Sequence, residues 1–488
     1  MGTFGGFASA PRVRAALLGC GIVVTLSAGA WAADLPARPQ IWPQQQAQPC
    51  IGSLYAYAMA SPEECPLSWN GVTLYATIDV GVTHDSHGVP FNGAYPNGVE
   101  TLISKNSNRS LTSIAPNGLG QSFVGLKGEE PIGASGWSLV FDAQTGFNLY
   151  SLQRANGPKS LVENNATAID YPSANGDSSR AGQLFNTVAY AGVSHQTFGA
   201  FTVGRQDSLI LDGLGRYDAT GAANAFSVIG ASNTVAGSGD TEAARYNTSV
   251  RYKVGVGPFR LAALWQFGGY DQGNGSNGAF DAAVGGDFGG FSFDLIGSKV
   301  KDAVALSNFG EYPLPSGVGM NDLKATLSNN TAGAAMAKYA YGRATVYGGF
   351  EYILFRDPSD AYPNGFETLG GYWVLPGFVN STAYTENKIL RVVWTGLGLK
   401  LRDDLDLAGG YYHYWQNDYN TSSCTNGGLS APSCHGTLNA VSAMIDYRPS
   451  KRVDLYAGLL WSQVTGGLAS GYLYTINLAP TAGVRVRF

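Results

Sequence analysis

From Val72 onward the chain repeats one device: segments of about ten residues with alternating apolar and polar side chains, joined by connections that are short and long in turn. Side chains on a strand point to opposite faces at period two, so each segment carries one oily and one polar face. "VTLYATIDVGV" sets Val72, Leu74, Ala76, Ile78 and Val80 against Thr73, Tyr75, Thr77 and Asp79. The pattern returns with Trp137, Leu139 and Phe141 against Ser138 and Asp142, and with Phe259, Leu261 and Trp265 against Arg260 and Gln266. It returns again with Val346, Phe350, Tyr352 and Leu354 against Arg343, Thr345 and Glu351, and with Val453, Leu455, Leu459 and Trp461 against Asp454 and Ser462.

The short connections, such as those at 255–258, 341–343, 402–404 and 449–451, carry the Gly, Pro, Asp or Ser that chain reversal needs. The long ones are polar and run over about 84–120, 151–182, 207–242, 269–277, 301–330, 356–386, 417–436 and 465–474. Eight long loops alternating with seven short turns join sixteen strands. Barrels of the Gram-negative outer membrane have this asymmetry, with tight turns on the periplasmic side and long loops outside. The expected fold is therefore all-β: a 16-stranded antiparallel transmembrane β-barrel over residues 71–488. An even strand number returns both ends to the periplasm. Phe488, the last residue of the alternating "TAGVRVRF", then pairs its strand with the first near Val72 and offers its ring to the membrane interface and to the barrel-assembly machinery. In that octapeptide Val484 and Val486 share the Phe488 face and Arg485 and Arg487 the other.

The first 32 residues read as an export signal: Arg12 and Arg14, an apolar run from Ala15 to Ala28, and the small-residue site Ala30-Trp31-Ala32. Beyond them no apolar stretch of 18 residues remains for a transmembrane helix. Without the two signal arginines the chain has 28 basic against 35 acidic residues, a net charge of −7, which argues against a nucleic-acid partner. The 66 glycines and modest content of large aliphatics suit a water-filled barrel better than a dry core. Residues 33–70 are rich in Pro and Gln and read as an extension lying in the periplasm or tucked into the lumen.

Cys50 with Cys65 and Cys424 with Cys434 form two close pairs, as expected of disulfides made in an oxidising compartment. A metal site is the competing reading, with His435 beside Cys434 or His84 and His87 around Asp85, but neither set is complete, so no metal and no cofactor is expected. No nucleophile, Walker, zincin or Rossmann pattern stands out, and the expectation is that the protein is not an enzyme.

Three stretches carry a family resemblance. "FVGLKGEEPIGASGWSLVFDAQTGFNLYS" (123–151), "LFNTVAYAGVSHQTFGAFTVGRQ" (184–206) and "ARYNTSVRY" (244–252) occur in the order of strands two to six of the Gram-negative general porins, which they resemble. The resemblance implies an outer-membrane homotrimer for passive diffusion of ions and small hydrophilic solutes, set in lipid and lipopolysaccharide. It also implies that the loop after Gln206 folds into the lumen as a constriction. Asp207, Asp212 and Asp218 are then its acidic edge, facing basic wall residues Arg205, Arg245, Arg343 and Arg391, with Arg485 nearer the periplasmic mouth. Where the family commonly places arginines, this chain has Phe123 and Thr187; with the negative net charge, this leads to an expectation of weak cation selectivity. Two alternatives stay open. One is a sugar- or carboxylate-selective channel with an aromatic track from Tyr411, Tyr412, Tyr414 and Trp415, although an outer aromatic girdle also explains these residues; the other is a non-conducting structural or adhesive barrel.

Overall fold

In a computed structural model, the described residues are 53–87, 110–147, 149, 162, 165–166, 184–231, 245–269, 275–307, 309, 313–360, 368–369, 372–380, 386–420, 424, 431–469 and 473–488. Residues 1–52, which take in the expected export signal and Cys50, lie outside them.

Sixteen strands close an antiparallel barrel in chain order. They are β1 (Val72–Asp85), β2 (Leu111–Pro116 and Phe123–Pro131), β3 (Trp137–Gly146), β4 (Ala189–His195), β5 (Gly199–Asp207), β6 (Arg245–Val256), β7 (Phe259–Gln266) and β8 (Gly278–Phe288). There follow β9 (Phe291–Ser307), β10 (Asp322–Tyr341), β11 (Ala344–Arg356), β12 (Lys388–Arg402), β13 (Leu405–Gln416), β14 (Gly436–Ser450), β15 (Val453–Gly466) and β16 (Ile476–Arg487). β16 pairs with β1 from Thr77↔Arg487 to Thr83↔Thr481. Where β16 meets β1 the sheet closes on itself, so the spanning strands find their ladder partners within the wall, as a bilayer without water requires; at the loop end, Asp322–Thr326 of β10 pairs instead with a strand at Tyr372–Asn380.

The alternation reads out as expected. Leu74, Leu139, Phe141, Leu261, Trp265, Val346, Phe350, Leu455 and Leu459 are exposed on the outer face, and Asp79, Glu351, Asp454 and Ser462 are buried inside. Three expectations are corrected. The stretch 301–330 is not all loop, because β9 runs on to Ser307 and β10 begins at Asp322. The chain end meets β1 at Ala76 rather than Val72: Phe488 N donates to Ala76 O at 2.9 Å. The Val72–Leu74 edge below it is taken by a short strand of the extension, Leu67–Trp69. Finally, the barrel is not without a core, since Trp394, Tyr412, Tyr414, Leu438 and Val464 on its inner face are buried.

β2 is broken between Pro116 and Phe123, and Asp79 on β1 fills the break. Its carboxylate accepts from Leu119 N (2.7 Å), Gly120 N (3.0 Å) and the Tyr456 hydroxyl (2.6 Å). The backbone donors freed by the interruption are thereby satisfied inside the protein.

At the short-turn end, α1 (Leu54–Met59) begins at Ser53, whose hydroxyl accepts from Ala56 N at 3.1 Å. The segment is fastened by Arg452 in the β14–β15 turn. Its guanidinium lies 4.1 Å over the Tyr57 ring and donates to the carbonyls of Tyr57 (2.9 Å), Ser61 (3.2 Å) and Cys65 (2.7 Å). Lys451 pairs with Glu64 beside it. Cys65 is buried and disulfide-bonded.

Candidate functional site

The third long loop, L3, starts after Asp207 and enters the barrel as α2 (Leu209–Tyr217). Ser208 caps the helix by accepting from Leu211 N at 3.2 Å, and Leu209 N donates to Asp281 Oδ2 of β8 at 3.2 Å. Leu209, Ile210, Gly213, Leu214 and Tyr217 fall on one face, which is buried against the inner wall. Gly213 permits the approach: a β-carbon there would lie 3.0 Å from Ile296 Cδ1 and from Met336 Sδ. Trp394 lies across Gly349 and donates its indole N–H to Tyr217 O at 3.0 Å. The loop then crosses to the other side of the barrel, where Phe226 packs edge-on to Tyr456 and Ala225 N donates to Gly118 O in the β2 break at 2.8 Å. Burying a large apolar side chain contributes roughly 1.5–3 kcal/mol, and L3 buries Leu209, Ile210, Leu214, Tyr217 and Phe226, so it is a fixed part of the wall rather than a swinging flap.

The polar edge of α2 faces the lumen. Asp212 Oδ2 accepts from Lys253 Nζ at 2.5 Å and lies 3.7 Å from Arg251 Nη1, both on β6. Burial pushes the Asp212 carboxyl up, but Lys253 and Arg251 outweigh it and hold the group below its ordinary 3.8. Arg216 Nη2 pairs with Asp287 Oδ1 at 2.7 Å. Arg260 pairs with the same Asp287 and with Asp294 Oδ1 at 2.9 Å. Lys338 lies 5.8 Å over the Tyr217 ring. Burial pushes the Tyr217 hydroxyl up to about 12, so it remains a neutral group beside Ser292 and Arg260. The wall across the lumen adds Lys127, 4.8 Å over the Tyr75 ring, and Asp142, hydrogen-bonded to the Tyr75 hydroxyl.

The expected site residues divide. Asp212 faces the lumen, and Asp207 pairs with Arg245 at 2.7 Å where L3 leaves the wall. Arg485 and Arg487 share Asp454 at 2.8 Å each, and Arg487 lies at the turn end as its register with β15 requires. Four assignments are corrected. Asp218 is buried, accepting from the Tyr412 hydroxyl (2.9 Å), Thr220 Oγ1 (2.8 Å) and Ala222 N (3.1 Å), so it anchors L3 rather than edging the lumen. Arg205 is buried too and donates to Asn186 O and Asn247 Oδ1 at 2.7 to 2.9 Å. Arg343 is exposed in the β10–β11 turn and donates to Leu401 O at 2.8 Å. Arg391 sits between inward Leu390 and Val392 and therefore points outward. The aromatic track also fails: Tyr412 and Tyr414 are buried inside, whereas Tyr411 is exposed on the outer face.

The residues missed were Arg251, Lys253, Lys338, Asp287 and Asp294. Alternation along β6 from Ser249 was the signal for the first two. A bulge at Gly204/Gln206 and the positive φ of Thr248 (46°) shift the phase, and neither could be read from the sequence.

A closed barrel with an oily outer face, a charged inner face and a loop fixed across its lumen defines a channel protein of the outer membrane. The pattern of the Gram-negative porins matches residues 22–466, and the chain belongs to that family. It is an outer-membrane porin, a passive diffusion channel. Solved structures share the fold at low identity. The anion-selective porin from Comamonas acidovorans is 16% identical with a TM-score of 0.55, over 86% of this chain and 99% of that one. The loop L8 deletion mutant of OmpT, an outer membrane protein of Vibrio cholerae, is 13% identical with a TM-score of 0.54, over 86% and 99%. The outer membrane channel DcaP of Acinetobacter baumannii is 12% identical with a TM-score of 0.50, over 86% and 99%. No curated protein sequence matches.

Proposed function

We propose that the protein is a homotrimeric channel for small hydrophilic solutes whose constriction favours anions, and that it carries out no catalysis. The observation that carries the selectivity is the charge balance at the lumen edge of L3. Arg216, Arg245, Arg251, Lys253, Arg260 and Lys338 stand there against Asp207, Asp212, Asp287 and Asp294. Low-dielectric walls focus the field at a narrow point, so a local cationic excess outweighs the formal charge of −5 spread over the whole chain. Asp218 is withdrawn into the wall and adds no acid to this edge. The Comamonas relative, described as anion-selective, is in line with this reading.

The trimer rests on strand length. A tilted transmembrane strand needs about 9–11 residues. β4 has 7 residues and β5 has 9, against 17 in β9 and 20 in β10. The β4 side is too short to span the apolar layer alone, and the small residues Ala189 and Ala191 on its outer face suit a protein neighbour. One of the OmpT structures is described as a trimer form. Residues 1–32 remain our reading of an export signal, and Cys50 our reading of the partner of Cys65.

Single-channel recording in a planar bilayer under a salt gradient tests both points. An anion-signed reversal potential and closure in three steps are expected. A cation-signed potential overturns the selectivity, and closure in one step overturns the trimer.

A further inference from the structure

The segment before β1 is built into the mouth of the barrel. Leu67–Trp69 adds a short strand to β1 at the turn end, with Ser68 opposite Thr73. Thr73 belongs to the inner set of β1, which the buried Asp79 continues. Ser68 Oγ lies 2.7 Å from Thr73 Oγ1, so Ser68 faces the lumen while Leu67 and Trp69 face outward. Upstream, the carbonyls of Tyr57, Ser61 and Cys65, spaced four residues apart, converge on the Arg452 guanidinium in the β14–β15 turn. Arg452 Nη1 also donates to Arg487 O at 3.5 Å. The segment thus runs along the rim of three adjacent strands, β15, β16 and β1, and is held at both ends.

Its two acids differ. Glu64 is paired with Lys451. Glu63 is exposed and, among the described residues, forms no salt bridge. Its charge acts on Lys127 of β2 and on Arg487 of β16. These two cations stand on the inner face on either side of β1: Lys127 is opposite Thr73 and lies over the Tyr75 ring, and Arg487 is opposite Thr77 and pairs with the buried Asp454. A carboxylate that reaches both lies over the inner face of β1, in the lumen.

We propose that Glu63 is a selectivity-determining residue of the channel, a fixed negative charge at the periplasmic mouth in series with the basic edge of L3. The extension carries it there: three carbonyl bonds to Arg452, the ladder to β1 and the buried Cys65 hold its backbone. A fixed charge beside an ion path attracts ions of opposite sign and repels those of its own, and low-dielectric walls strengthen the effect. An exposed carboxylate acts over a Debye length, about 10 Å at 0.1 M salt and about 3 Å at 1 M. The influence of Glu63 therefore belongs to dilute salt on the periplasmic side. The proposal takes the channel as given and is independent of the sign of selectivity at L3, because only differences from the wild type are read.

Single-channel recording under a salt gradient tests this, with about 0.1 M potassium chloride on the side of the short turns. The proteins are the wild type, E63Q, E63K and E130Q. Glu130 is at the same end but on the outer face, opposite the exposed Leu139. E63Q should raise the anion-to-cation permeability ratio roughly twofold, and E63K, which changes the charge by two, roughly fourfold. E130Q should leave the ratio unchanged, and at about 1 M salt all four proteins should agree. Equal ratios for the wild type, E63Q and E63K in dilute salt would put Glu63 off the ion path and overturn the proposal. A shift in E130Q as large as that in E63Q would also overturn it, by assigning the effect to the overall charge of that end.

Discussion

The Tyr412 hydroxyl donates to Asp218 Oδ1 at 2.9 Å, joining β13 to the loop that crosses the lumen. The same carboxylate accepts from Thr220 and from Ala222 N, so one acid closes the turn after α2 and ties it to the wall. Burial pushes the Asp218 carboxyl above its ordinary range, and its donors offset part of that rise. Asp218→Ala leaves a buried phenol without its acceptor and should cost about 1–3 kcal/mol. Asp218→Asn keeps an acceptor and should cost far less. Urea-induced unfolding of the two variants, read beside the noise of the open channel, separates them; equal losses would show that the hydrogen bond contributes nothing.

Asp212 gives the pH dependence. Its folded pKa lies below the ordinary 3.8, held there by Lys253 and Arg251 against the effect of burial. A depressed carboxylate contributes stability that is present above the unfolded value and lost as pH falls through the folded one. The reversal potential should accordingly stay flat from neutral pH down to about 3.8 and become more anionic below it. Asp212→Asn should show the acid-type potential already at pH 7, and a wild-type shift beginning near pH 6 would contradict the assignment.

Arg251 and Lys253 are the counterpart. Replacing both with Gln leaves Asp212 as an uncompensated carboxylate at the narrow point, where focused fields act strongly on passing ions. The anion-to-cation permeability ratio should fall severalfold, with conductance reduced far less. Zero change would place the constriction elsewhere along the lumen.

Arg452 holds the extension. Its guanidinium is buried and donates to three carbonyls while lying over Tyr57, and hydrogen bonds to a charged group are each worth about 1.5–3 kcal/mol. Arg452→Ala should release Ser53–Trp69 to limited proteolysis while the barrel stays folded on heat-modifiability gels. A protected extension in the variant would assign the anchoring to Cys65 or the Leu67–Trp69 pairing instead.

The short β4 wall predicts an assembly phenotype. Ala191 is exposed on its outer face and lies opposite Phe141 and Val203, which are also exposed. Ala191→Arg should convert trimers to monomers on native gels, and trimers of undiminished heat resistance would move the interface to another wall.

The barrel is legible in the chain alone. The period-two alternation divides each strand into two faces, and the rhythm of loops and turns gives sixteen strands, because both are local properties of the chain. It also marked L3, through "GRQ" and the sequence after it. What it left undecided was where each charge points once the strands close. Asp212 and Asp218 look alike along the chain, six residues apart, yet one opens to the lumen and the other is buried against Tyr412, a residue 194 positions away. Arg391 and Arg485 both sit in alternating strands, but only burial of their neighbours sets their faces: Leu390 and Val392 are turned inward under L3, an apolar inner wall that a rule of polar lumen and oily exterior would assign to lipid. Only the closed fold shows this, because L3 brings its own apolar face into the barrel, and the two oily surfaces bury each other there, so Leu390, Val392 and Trp394 face inward although they are apolar.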